Sequence, residues 1–92
     1  MDAASKLQCN DCVLFNYSPQ NHSSLYFIVS TKYGNAVKRN LFKRRVKSLF
    51  KKFFHDDNNM GLVVKPLKSN IQYSELLLCF EKLKQKYQTI LN

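Results

Sequence analysis

One stretch restricts this chain more than any other. Residues 36–54 read AVKRNLFKRRVKSLFKKFF, with eight basic residues and no acid. Apolar and basic positions alternate there with a helical period. At 100° per residue Phe42, Val46, Leu49, Phe50 and Phe53 fall within an arc of ~100°. Asn40, Lys43, Arg44, Lys47 and Lys51 occupy an arc of similar width on the far side of the helix. One face must therefore pack on the body of the fold while the other holds cations in water. Leu41 is the misfit, lying on the polar side.

That unbalanced charge reaches beyond the helix. The chain has 15 Lys and Arg against 6 Asp and Glu, a net charge of +9 over 92 residues. Solvated faces of ordinary proteins mix their signs. A basic face without an acid points to a polyanion partner, above all nucleic acid. The length fits one small domain, 1–92, and the apolar content of 45% fits a folded chain. No apolar run is long enough for a membrane helix, and Met1–Cys12 has no signal-peptide core. A cytoplasmic protein is expected. A basic amphipathic helix can also bind anionic lipid, but its apolar arc is needed here to cover a sheet, so no membrane partner is expected.

The remaining elements read as follows. Residues 1–11 are expected to be irregular. Cys12–Tyr17 and Leu25–Thr31 read as strands, joined as a hairpin across the polar loop Ser18–Ser24. Lys32–Asn35 breaks the second strand. Gly34 is expected to hold a backbone geometry that other residues resist, and Asn35 to cap the basic helix. His55–Asn59 is a turn, Gly61–Lys65 a strand ended by Pro66, and Tyr73–Leu91 a helix. Its apolar stripe is Leu76, Leu77, Phe80, Leu83, Tyr87 and Ile90. The order β-β-α-β-α gives an α+β two-layer sandwich with both helices on one sheet face.

Protein-borne chemistry finds little support. Three cysteines argue against a disulfide framework. Cys9-x-x-Cys12 lacks partners for zinc, since Cys79, His22 and His55 are scattered. It also precedes a strand, where a redox motif would open a helix. No paired carboxylates, nucleophile–base pair or Gly-rich phosphate loop is visible.

The junction of second strand, turn and basic helix reads V-S-T-K-Y-G-N-A-V-K-R-N-L-F-K-R over residues 29–44. It resembles the protein subunit of bacterial ribonuclease P, which carries V-S-x-K, then G-N-A-V, then R-N-x-x-K-R. More loosely, GLVVKP and YSELLLCFEKL resemble that family's last strand and helix. The resemblance implies an α-β-β-β-α-β-α fold like domain 2 of ribosomal protein S5, with a left-handed βαβ crossover. It implies two partners, the catalytic RNA and the 5′ leader of precursor tRNA. Mg²⁺ bound mainly by the RNA would hydrolyse the phosphodiester, with no catalytic residue from the protein. A noncatalytic RNA-binding protein of ribosomal or RNA-chaperone type is the alternative.

Residue by residue, Arg39, Asn40, Lys43 and Arg44 match the R-N-x-x-K-R positions and are expected at RNA phosphates. Lys32 matches the strand-end lysine, and Asn35, Lys38, Lys47 and Lys51 complete the expected RNA-binding set. Lys47 stands where the family usually has Arg, keeping charge without the bidentate fork. Leu41 replaces another Arg. Phe15 falls where the family places an aromatic of the leader cleft. The family's first helix, with two leader-facing phenylalanines, is expected to be missing, since residues 1–11 hold no Phe. Tyr17 and Tyr26 are expected to compensate, since single strands stack on aromatic faces. A monomer is expected outside the complex.

Overall fold

The computed structural model describes residues 5–20, 22–54 and 60–91, with side chains through Tyr87. Strands β1 (Ser5–Cys9), β2 (Val13–Pro19) and β3 (Ser24–Phe27) precede helix α1 (Ala36–Phe54). Strand β4 (Met60–Pro66) and helix α2 (Tyr73–Leu91) follow. The expected turn His55–Asn59 and the side chain of Ile90 lie outside the described residues.

The sheet order is β1-β2-β4-β3. This corrects the expected hairpin, because β2 and β3 do not touch. Strand β4 lies between them, antiparallel to β2 and parallel to β3. Burial explains the arrangement. In β4, Met60, Gly61, Leu62 and Val64 are buried, as suits a central strand. Strand β3 leaves Tyr26 exposed and suits an edge. β3, α1 and β4 thus form a βαβ unit, with α1 as the crossover.

A second correction concerns the N-terminus. Ser5–Cys9, expected to be irregular, pairs antiparallel with β2 in the register Leu7↔Phe15 and Cys9↔Val13. Its sequence, SKLQC, has weak strand propensity. It is extended because β2 offers an open edge. Three strands before α1 match the implied fold more closely than the two first read.

Both helices cover one sheet face. Val13, Phe15 and Tyr17 of β2 point toward them, as do Leu62 and Val64 of β4. Phe80 of α2 meets Phe15 edge-on, with ring centroids 5.1 Å apart. Tyr87 meets Tyr17 at 6.2 Å. Helix α1 buries Phe42, Val46, Leu49 and Phe54, close to the expected arc, with Phe50 and Phe53 partly covered. Phe53 stacks on Phe80 at 6.2 Å, and Phe54 lies edge-on to Tyr87 at 5.9 Å. Lys84 of α2 closes this seam by donating to the Phe53 carbonyl at the end of α1. Among the described residues no polar or charged side chain is buried.

The cysteines supply a third correction. Cys9 and Cys79 form a disulfide between β1 and α2, while Cys12 is free and buried. The pairing was invisible in the spacing because it needs β1 to be a strand lying beside α2.

Phe80 touches both helix α1 and the sheet, so Phe80→Ala should cost about 3–5 kcal/mol. Denaturant unfolding of the oxidised chain measures it. A loss below 1 kcal/mol would mean that the aromatic seam is not the core.

Candidate nucleic-acid interface

The junction between β3 and α1 builds the site. After Phe27 the ladder continues for one bond, from Ile28 N–H to the Val64 carbonyl at 3.0 Å. The chain then closes a 3-10 turn at Thr31–Tyr33. Gly34 follows with φ of 157°, where a side chain is disfavoured. A Cβ there would also lie 2.9 Å from Cδ of Lys38. Asn35 caps α1, its Oδ1 accepting from Lys38 N–H at 3.0 Å. Both expectations for this turn hold.

Arg39 plays a part beyond surface charge. Its guanidinium donates to the Gly34 carbonyl at 2.8 Å and is partly buried. It ties the first turn of α1 to the strand-helix corner and so fixes where Lys32 stands. Arg45 also turns inward, donating to the Ile71 carbonyl at 3.4 Å. Tyr33 reaches the Ile71 backbone as well, and burial pushes its hydroxyl pKa up. Leu41, the misfit, lines a cavity with Tyr33, Phe42, Arg45 and Ile71. Ile71, from the segment before α2, thus gives Leu41 an apolar neighbour on the polar side of the helix.

The outward face of α1 is as the periodicity requires. Val37, Asn40, Lys43, Arg44 and Lys47 line one shallow groove, with Lys51 exposed further along. Val37 is an exposed apolar residue among these cations. Basic side chains at the last turn, Lys51 and Lys52, also complement the negative end of the helix dipole.

A second basic cluster was not foreseen. Lys32, Lys65 and Lys68 line one cavity with Ile28, Ser30 and Ser69. Lys65, near the end of β4, and Lys68, just beyond it, lie in the sequence K-P-L-K. Only the parallel pairing of β3 with β4 brings them to Lys32. Lys68 is held by Glu75 at 2.7 Å. The hydrogen bond from Lys68, and then one from Gln72 N–H, lower the Glu75 carboxyl pKa.

The three aromatics expected to line a cleft separate sharply. Phe15 is 0% exposed and Tyr17 5%, whereas Tyr26 is 64% exposed. Phe15 and Tyr17 point into the helix-covered face, so stacking on RNA is closed to them; this corrects the sequence reading. Their apolar strand neighbours alternate toward the core, and only the face decides which aromatic is free. Tyr26 stands on the opposite face, in a row that runs Lys6, Asn16, Val63, Tyr26 across the sheet. Ile28, 53% exposed, and Lys65 lie beside it. That row and cavity form an uncovered strip of aromatic, aliphatic and basic groups.

A protein-family model described as Ribonuclease P matches residues 2–88. The chain belongs to the ribonuclease P protein family. Among characterised relatives it is similar to the ribonuclease P protein component of Phytoplasma australiense, with 30% identity over 95 residues. That match covers 96% of this chain and 83% of the relative. In structure it is similar to the RNase P protein of Staphylococcus aureus, with a TM-score of 0.71 and 21% identity. The match spans 97% of this chain and 84% of the other. The RNase P protein of Thermotoga maritima gives a TM-score of 0.60 at 24% identity, over 96% of this chain and 81% of that one. These likenesses establish the α+β fold of the ribonuclease P proteins for this chain.

Arg39→Ala should destabilise the chain by about 1–2 kcal/mol, the worth of a charge-assisted bond discounted for partial exposure. Arg45→Ala, whose bond is long, should cost less than about 1 kcal/mol. Urea unfolding of both variants checks the order, and equal losses would deny Arg39 its hold on the turn.

Proposed function

We propose that this chain acts as the protein component of ribonuclease P in the cytoplasm. It binds the catalytic RNA and the 5′ leader of precursor tRNA, assisting removal of that leader. The observation that carries this reading is the basic groove of α1, where Lys43, Arg44 and Lys47 line one surface with Asn40. The groove of α1 offers cations without aromatics, which suits a phosphate backbone. The sheet face turned away from the helices offers Tyr26, Ile28 and Lys65, which suits a single strand.

Lys43, Arg44, Lys47 and Lys51 neutralise RNA phosphates, with Asn40 and Lys38 beside them. Arg39 and Asn35 act mainly by holding the corner, since each is bonded to it. Tyr26 stacks on a leader base, while Lys32, Lys65 and Lys68 hold flanking phosphates. Phosphodiester hydrolysis itself uses Mg²⁺. The groove of α1 sets a single amide, Asn40, among Lys43, Arg44 and Lys47, and Mg²⁺ takes several oxygen ligands, so this face does not fit the ion. In this reading RNA holds the metal and the protein contributes charge and orientation.

Reconstitution tests the proposal. With cognate ribonuclease P RNA at low Mg²⁺, the protein should stimulate cleavage of precursor tRNA, and more so with a leader of several nucleotides. No stimulation would overturn the assignment. Tyr26→Ala should weaken leader-bearing substrate about 5- to 100-fold, as loss of one stacked base predicts, and leave leaderless substrate unaffected. Unchanged leader affinity would remove Tyr26 from the cleft.

Salt reports on the phosphate contacts. With ~5 of them the log–log slope of RNA affinity should be about −3 to −5. Glu75→Gln preserves an acceptor for Gln72 N–H but removes the charge that occupies Lys68. RNA affinity should then rise about two- to fivefold, measured by filter binding. An unchanged affinity would show that Lys68 takes no part.

A further inference from the structure

Of the three cysteines, Cys12 bonds a residue that lines the basic cavity, and Cys9 and Cys79 are joined. The Cys9–Cys79 bond links the edge strand β1 to α2, with Cα atoms 5.7 Å apart and 70 residues between them in sequence. Strand β1 is an edge strand, held by the ladder to β2, by Leu7 packed against the core and by the bond to α2. Its inward side chains are Ser5, Leu7 and Cys9, of which only Cys9 is fully buried. The far end of β1 turns through Asn10, in the left-handed region at φ of 55°, into Cys12.

That turn leads directly to the proposed RNA strip. Cys12 N–H donates to the Cys9 carbonyl at 3.1 Å. The Cys12 carbonyl accepts from Leu67 N–H at 2.9 Å. Leu67 lies between Lys65 and Lys68 and lines their cavity. From the other side, α2 carries both Cys79 and Glu75, the partner of Lys68. The disulfide therefore brackets the lysine-bearing segment Pro66–Ser69 from both ends.

We propose that Cys9–Cys79 is a redox switch on RNA binding. Oxidised, it fixes β1, the β1–β2 turn and α2 around the lysine cavity. A dithiol reductant opens it by two exchange steps. One reductant thiolate attacks a protein sulfur and expels the other as a thiolate. The second reductant thiolate then resolves the mixed disulfide. Two electrons and two protons pass to the protein, which gains two thiols, and the reductant leaves as its own disulfide. A small-molecule disulfide reverses the sequence. Cys12 stays outside the exchange, because it is buried and its thiol is held protonated, chiefly by desolvation and then by Glu75.

The test uses the full chain, after equilibration with oxidised glutathione or with dithiothreitol. Alkylation in denaturant followed by intact mass should add one label to the oxidised chain and three to the reduced one. Reduction should lower Tm by at least ~10 °C, because the bond closes a long loop. Affinity for a short single-stranded RNA should fall about three- to tenfold as the segment loses its order. Cys12→Ser should keep the Tm and RNA responses, with no label oxidised and two reduced, whereas Cys79→Ser should match the Tm and RNA affinity of the reduced chain with or without reductant. Three labels after oxidation, a disulfide that includes Cys12, or equal RNA affinity in both states would overturn the switch. The RNA readout rests on the proposed function, but the label count and Tm do not. Absence of RNA binding in both states, with labels and Tm as expected, overturns the RNA switch together with the RNA reading and leaves the staple standing.

Discussion

The pairing of β4 between β2 and β3 is the constraint on which the rest depends. It takes the most buried strand to the middle of the sheet and makes α1 a crossover. A crossover helix must lie across the sheet, so its Phe42, Val46 and Leu49 face inward and its cations face out. The same pairing places the end of β4 beside the end of β3. Lys65 and Lys68 thereby meet Lys32, although more than thirty residues separate them in sequence. Had β2 and β3 formed a hairpin, these lysines would not be neighbours.

The charge pattern shows how an all-basic helix remains folded. Its apolar face is covered by aromatic contacts to Phe80 and Tyr87. Cations are not simply spread over the opposite face. Arg39 and Arg45 turn back to carbonyls of the corner and of the segment before α2. Lys43, Arg44, Lys47 and Lys51 share one outward side, where their mutual repulsion favours a bound polyanion. Cations bonded to backbone carbonyls and cations facing solvent are thus divided along a single helix. Sequence spacing alone does not separate the two kinds, because carbonyl partners come from distant or irregular backbone.

Local signals carried much of the fold. The extents of α1 and α2 followed from apolar periodicity, and the Asn35 cap and the Gly34 corner from residue chemistry. The junction sequence 29–44 carried the family. Strand β1 was not legible, since SKLQC has too little apolar character to declare itself without β2 beside it. The disulfide was hidden for the same reason. Phe15, Tyr17 and Tyr26 look alike as strand aromatics, yet two are core and one is surface. Alternation fixes which residues share a face, but not which face meets the helices.

By itself, then, the sequence determined a basic amphipathic helix entered through a capped glycine corner, and an excess of positive charge that calls for a polyanion. These properties depend on neighbours within a few residues, where backbone sterics and helical period act. Tertiary structure alone decided the strand order, the Cys9–Cys79 bond, the lysine cavity and the exposure of Tyr26. Each depends on contacts between distant segments, and such contacts are set by burial of the whole apolar surface at once.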